Sequence, residues 1–129
     1  MYLDTDIILA LIKPSDWLSP HVNLKKLKNP KTSTLTLVEA QIVLNREYSR
    51  KTALDAFDKI KSTGIEIEPL NLDVVEKSAH LLKKYDKLTI FDSVHAAFVI
   101  LNKDVVLSTD SIFDSIEGVI RIDPRKLEK

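Results

Sequence analysis

Cysteine is absent from this chain of 129 residues. That excludes disulfides, thiolate chemistry and cysteine-based zinc sites, and it fits a reducing compartment. No apolar run approaches the roughly 18 residues a membrane span needs. The first residues pass straight into a short apolar strand, without the basic stretch and cleavage site of a secretion signal. The expectation is a soluble, cytoplasmic protein with no membrane partner. Neither sign of charge is in excess: 19 basic and 19 acidic residues leave a formal net charge of zero. Global electrostatics therefore gives no argument for nucleic acid, although local charge can still supply one. Linkers, low-complexity tracts and internal repeats are also missing. A chain of this length is expected to form one domain over residues 1–129, burying about two-thirds of the surface its unfolded form exposes.

What is present is an alternation of strands and helices. Tyr2-Leu3-Asp4 reads as a short buried strand, and Asp6 to Ile12 as a helix closed by Pro14. Pro20 to Leu27 reads as a short helix, and Ser33-Thr34-Leu35 as the second strand. Helical periodicity runs from Leu37 to Arg50, then again through Leu54, Phe57 and Ile60 to Gly64, one of only two glycines, at a C-cap position. Ile65-Glu66-Ile67 alternates as a third strand. Asn71 caps a helix through Val74 and Leu82, and Thr89 opens another that runs to Leu101. Val105 to Leu107, a short helix from Ile112 to Ile116, and Val119 to Ile122 complete the chain. This order implies an α/β/α sandwich around a parallel sheet of about five strands.

Four acids stand where strands give way to helices: Asp4, Glu39, Asp92 and Asp110. In a parallel sheet those ends meet, and ligand sites lie beyond them. Each acid also has a structural explanation. Asp4 can cap the first helix, Thr36–Glu39 and Thr89–Asp92 fit the capping-box spacing, and Asp110 can cap the short helix after it. The combination says more than each acid alone. Like charges about 4 Å apart cost roughly 1 kcal/mol per pair in water and about 4 at a partly buried site. Asp92 also lies between Phe91 and Ala96-Ala97-Phe98, where an isolated buried carboxylate is costly. Oxygen ligands without cysteine or a histidine pair select Mg2+ or Mn2+, which points to phosphodiester chemistry. Arg46 and Arg50 follow Glu39 by seven and eleven positions. On one continuous helix they would share its face and could lead RNA phosphates away from the site. A histidine, His95, follows Asp92 by one turn. It could orient a site water, but a satisfied, partly buried histidine is the stronger expectation.

Several segments together resemble a PIN domain of the type found in VapC ribonuclease toxins of prokaryotic toxin–antitoxin pairs. These are Tyr2-Leu3-Asp4-Thr5-Asp6, Thr36-Leu37-Val38-Glu39, Phe91-Asp92-Ser93-Val94-His95-Ala96-Ala97 and Ser108-Thr109-Asp110-Ser111-Ile112-Phe113. The resemblance implies strand order 3-2-1-4-5 and a metal-dependent endoribonuclease. It also implies a small antitoxin partner and a homodimer. Carried over by position, Asp4, Glu39, Asp92 and Asp110 form the catalytic site, with Asp4, Asp92 and Asp110 as ligands of Mg2+ or Mn2+. Asp6, Thr109 and Asp114 are accessory candidates. Asp6 replaces an uncharged polar residue common in the family, and Ile112 occupies a place where many relatives carry another acid. Two other functions compete: a haloacid-dehalogenase-like phosphatase using Asp4 and Asp6, and a PIN fold that binds a partner without catalysis.

Overall fold

The computed structural model describes residues 1–127. Its sheet is built from β1 (Tyr2–Leu3), β2 (Lys31–Ser33), β3 (Glu66–Glu68), β4 (Val106–Leu107) and β5 (Arg121–Ile122). The strands are all parallel, in the order β3-β2-β1-β4-β5 that the family resemblance implies. Helices α1 (Thr5–Ile12), α2 (Thr34–Glu47), α3 (Arg50–Thr63), α4 (Leu72–Lys84) and α5 (Ile90–Leu101) connect them.

The two faces of the sheet follow from side-chain alternation along each strand. Leu3 and Leu107 are register partners and join the core formed with α1, α2 and α3. Tyr2 and Val106 are also partners, and they point to the other side, into the core of α4 and α5. This parity sends the Tyr2 ring against α5, where it stacks on Phe98 at a centroid distance of 5.6 Å. Helix α5 is buried almost all round from Ser93 to Val99. Ala96 and Ala97 are fully buried there; without bulky side chains they let neighbouring elements approach closely. A hydrogen bond of 2.8 Å between the Ser78 and Ser93 hydroxyls ties α4 to α5.

Several boundaries shift by a residue or two, the fifth strand shortening to Arg121–Ile122 and the late helix becoming a 3-10 turn at Ser111–Ser115, and three differences bear on the site. The second strand ends at Ser33 instead of starting there, because the Ser33 hydroxyl accepts the Thr36 amide and turns the chain into α2 at Thr34. The strand begins earlier, at Lys31, where the Lys31 amide donates to the Met1 carbonyl and the Thr32 hydroxyl to that of Leu3. The segment from Pro20 to Leu27 holds two single 3-10 turns, Ser19–His21 and Leu24–Lys26, instead of one helix. Helix α2 stops at Glu47, since Ser49 caps a new helix by accepting the Thr52 amide. Arg50 is therefore the first residue of α3, and it does not continue the face of α2 that carries Glu39 and Arg46. Gly64 ends α3 at φ +74°, the left-handed C-cap its position suggests. Among the described residues, no helix is long and apolar enough to cross a membrane.

Candidate active site

Asp4 leaves β1 and immediately caps α1, its Oδ1 accepting the Thr5 amide at 2.7 Å. Its Oδ2 accepts the Ser108 hydroxyl at 2.6 Å, from the residue after β4. Asp4 is only 8% exposed. Burial pushes its carboxyl up to about 6; His95 and the Ser108 hydrogen bond oppose that shift, and Asp6 adds to it. Asp6 is also raised by burial. Its Oδ2 accepts both the amide and the hydroxyl of Thr109, at 2.9 and 2.5 Å, while its Oδ1 is buried without a hydrogen bond. Two adjacent carboxylates thus sit in the notch between β1 and β4, and both are costly to ionise.

Glu39 does not cap α2. It lies further along the helix, where its Oε1 accepts from the Thr5 hydroxyl at 3.0 Å and meets His95 Nε2 at 2.5 Å. The same His95 nitrogen is 3.6 Å from Asp4 Oδ1. Burial lowers the proton affinity of His95, but Glu39 and Asp4 outweigh it and the net direction is upward. Asp92 also raises it, which puts that carboxylate within electrostatic reach of the same centre. Asp92 itself closes a full capping box with Thr89: its Oδ2 accepts the Thr89 amide and its own amide donates to the Thr89 hydroxyl, both at 3.1 Å. Asp110 caps the turn Ser111–Ser115 by accepting the Ile112 amide at 3.0 Å, and it contributes to the charge felt by Asp6.

Asp4, Asp6 and Glu39 are therefore brought together beyond β1 and β4 by His95, Ser108 and Thr109. Asp110 joins them through its backbone amide on Ser108, and Asp92 acts on them only through its charge. Asp114 is not brought in. It forms a two-pronged ion pair with Arg121, at 3.0 and 2.9 Å. Arg46 and Arg50 are exposed on separate helices. Among the described residues, no three histidine or acidic side chains converge closely enough to grip a metal ion as they stand. The donor set nevertheless fits one. It is made of hard carboxylate oxygens, one buried oxygen of Asp6 lacks a hydrogen bond, and the charge on Asp4 is one a cation would relieve.

The PIN domain family profile matches residues 1–119. The chain belongs to the PIN domain family. Solved structures with the same fold include the Mycobacterium tuberculosis VapC20 toxin, described as cleaving the sarcin-ricin loop. It is 20% identical with a TM-score of 0.77, and the match covers 88% of this chain and 92% of that one. VapBC from Salmonella typhimurium, solved bound to DNA, is 19% identical with a TM-score of 0.73 and coverages of 95% and 96%. VapBC2 from Rickettsia felis, bound to a DNA fragment from its promoter, is 17% identical with a TM-score of 0.73 and coverages of 94% and 96%. No curated protein matches the chain by sequence. The family match is to a PIN domain and lends no support to the dehalogenase-like alternative.

Sequence reasoning gave His95 only a minor role and left Tyr2 and Ser108 out of the site. A signal existed for the first two. A tyrosine in a two-residue buried strand and a histidine inside the apolar run Val94 to Val99 both need polar partners, and each is the other's partner.

Proposed function

We propose that residues 1–129 form a cytoplasmic, Mg2+- or Mn2+-dependent endoribonuclease that acts as the toxin of a toxin–antitoxin pair. The observation that carries this reading is the buried carboxylate Asp4, pushed up to about 6, with Asp6 beside it and Glu39 reached through one histidine. A divalent cation would relieve this buried negative charge beyond what His95 and the neighbouring hydroxyls supply. The RNA substrate is supported by the PIN family membership and by the description of the Mycobacterium tuberculosis relative.

Asp4, Asp92 and Asp110 would hold the ion, with Asp6 as an added oxygen donor where Ile112 supplies none. When bound, such an ion lowers the pKa of a water and neutralises charge on the phosphate. The remaining work falls to the chain itself. Thr5 and Ser108 fix both oxygens of Asp4. Thr109 fixes one oxygen of Asp6. Glu39 has Oε1 occupied by Thr5 and His95, which leaves Oε2 to orient the attacking water and take its proton. The recessed position of Asp4 favours single-stranded or looped RNA, whose backbone can reach it.

Water attack requires no ribose hydroxyl. Products from a single-stranded RNA are expected to carry no 2′,3′-cyclic phosphate, and end-group analysis by mass spectrometry reads this directly. Cyclic ends would mean attack by the 2′-hydroxyl and would overturn the mechanism.

Arg46 and Arg50 remain candidates for RNA phosphates, now as two exposed charges on neighbouring helices and not one face. If both contact phosphates, replacing them with alanine lowers the slope of log affinity against log salt by about 1.4 for single-stranded RNA. An unchanged slope removes them from the interface.

Partners fit the exposed apolar side chains. Val38, Ile42 and Leu54 lie open on α2 and α3, and Leu72, Val75 and Ile90 on α4 and the start of α5. Surfaces of this kind suit an antitoxin segment and a second copy of the chain. A solved structure from Klebsiella pneumoniae with the same fold is described as a toxin–antitoxin complex.

A further inference from the structure

His95 is 2% exposed, yet both of its ring nitrogens are engaged. A carboxylate only accepts, so at Glu39 Oε1 the donor is Nε2–H. On the other side Nδ1 lies 2.7 Å from the Tyr2 hydroxyl. That hydroxyl is in turn 2.8 Å from Ser33 Oγ and 3.2 Å from Thr36 Oγ1. Ser33 Oγ accepts the Thr36 amide as the N-cap of α2 and also lies 3.3 Å from the Thr36 hydroxyl, so the three hydroxyls of Tyr2, Ser33 and Thr36 form one cluster. Where His95 is neutral, Tyr2 donates to Nδ1 and Nε2 donates to Glu39, and the Tyr2 oxygen can accept from Ser33 or Thr36. The path starts at the cap of α2 and returns to α2 at Glu39, passing through β1 and α5. It closes a ring over three elements at the point where strand parity brings Tyr2 against α5.

We infer that Tyr2 and His95 are positioning residues for the proposed nuclease: Tyr2 anchors the His95 ring through Nδ1, and His95 holds Glu39 beside Asp4 in the orientation its work on the water requires. This rests on the cation-dependent nuclease reading of the site. It goes further by assigning catalytic precision to two residues that touch neither cation nor substrate. Partners of this second rank typically govern 10- to 100-fold in activity or affinity.

Three variants and two readouts test it. Tyr2→Phe removes only the hydroxyl and keeps the ring that stacks on Phe98. His95→Leu removes both hydrogen bonds, and His95→Gln restores a donor near the Nε2 position. In RNA cleavage, Tyr2→Phe is expected to lower kcat about 10-fold with KM unchanged, and His95→Leu about 100-fold, with His95→Gln recovering part of that loss. Proton NMR supplies the second readout, on chelated protein without RNA. The His95 ring N–H bonded to Glu39 should give a far-downfield, slowly exchanging signal that shifts or broadens in Tyr2→Phe. The inference is overturned if folded Tyr2→Phe keeps both the wild-type kcat and the wild-type signal, or if His95→Gln recovers no more than His95→Leu. If wild-type protein cuts no RNA, the nuclease reading fails and the positioning role with it, while the NMR arm still shows whether Tyr2 anchors the His95 ring.

Discussion

In chelator, the protein is expected to melt at a lower temperature at pH 8 than at pH 5, by about 5 °C or more. The sign follows from which state binds more protons. Asp4 has a folded value of about 6, well above that of an unfolded aspartate. Between those values the folded state holds the proton and the unfolded state does not, so stability falls as pH rises through that interval. His95 and Asp6 are raised as well and act in the same direction, His95 across neutral pH. Asp123, held down to about 2 by Arg125, gives its stabilisation in full above pH 4 and does not change between pH 5 and 8. From pH 5 to 8 Asp4 alone accounts for about 1.4 kcal/mol, which for a domain of this size is a shift of about 5 °C. A cation that binds the ionised carboxylates reverses the trend. Mn2+ at a hundred times its dissociation constant adds about 2.7 kcal/mol. The gain should be largest at pH 8, where no proton competes. A midpoint that rises from pH 5 to pH 8 in chelator, or that ignores Mn2+ at pH 8, would contradict this assignment of the charges.

The second large effect concerns Asp4→Asn. Cleavage should fall about 1,000-fold, the scale expected when a charged group central to the transition state is removed. The fold should not suffer. Asparagine also caps helices, so its side-chain oxygen can still accept the Thr5 amide, while its amide can donate to Ser108 Oγ. Removing a buried charge next to Asp6 should make chelated protein at pH 8 as stable as wild type or more so, by about 1 kcal/mol. The slope of stability against pH between 5 and 8 should flatten with it. A variant that loses activity together with more than about 1 kcal/mol of stability would instead mark Asp4 as a helix cap whose loss unfolds the site. Thermal melts and initial rates on the same preparation separate the two outcomes.

The order of strands and helices was legible because hydrophobic spacing is local. Where it failed, a side-chain hydrogen bond outweighed propensity. Ser33-Thr34-Leu35 has the composition of a strand, but the Ser33 hydroxyl caps α2 and ends the strand. Ser49 does the same between α2 and α3, and so separates Arg50 from the face of Glu39. The acids were legible as a group but not in their individual roles. The capping box of Asp92 with Thr89 was legible from its spacing and forms in full, but its apolar neighbours suggest a buried carboxylate, whereas it stands at the half-exposed start of α5. Glu39 reads as a cap from its spacing to Thr36; α2 begins two residues before Thr36, which carries Glu39 past the first turn and onto His95. The Tyr2–His95 contact spans 93 positions of sequence. Only the pairing of β1 with β4 and the packing of α5 beneath them create it, so no local pattern could announce it.

The most direct test of the central claim, that these carboxylates form a cation-dependent centre for cutting RNA, is the rate at which the purified chain cleaves single-stranded RNA as Mn2+ is titrated from an excess of EDTA. The expected result is no cleavage in EDTA, a saturable rise with Mn2+, and a return to no cleavage when chelator is restored. Cleavage that persists undiminished in EDTA, or its absence at every Mn2+ concentration in protein shown to be folded, would contradict it.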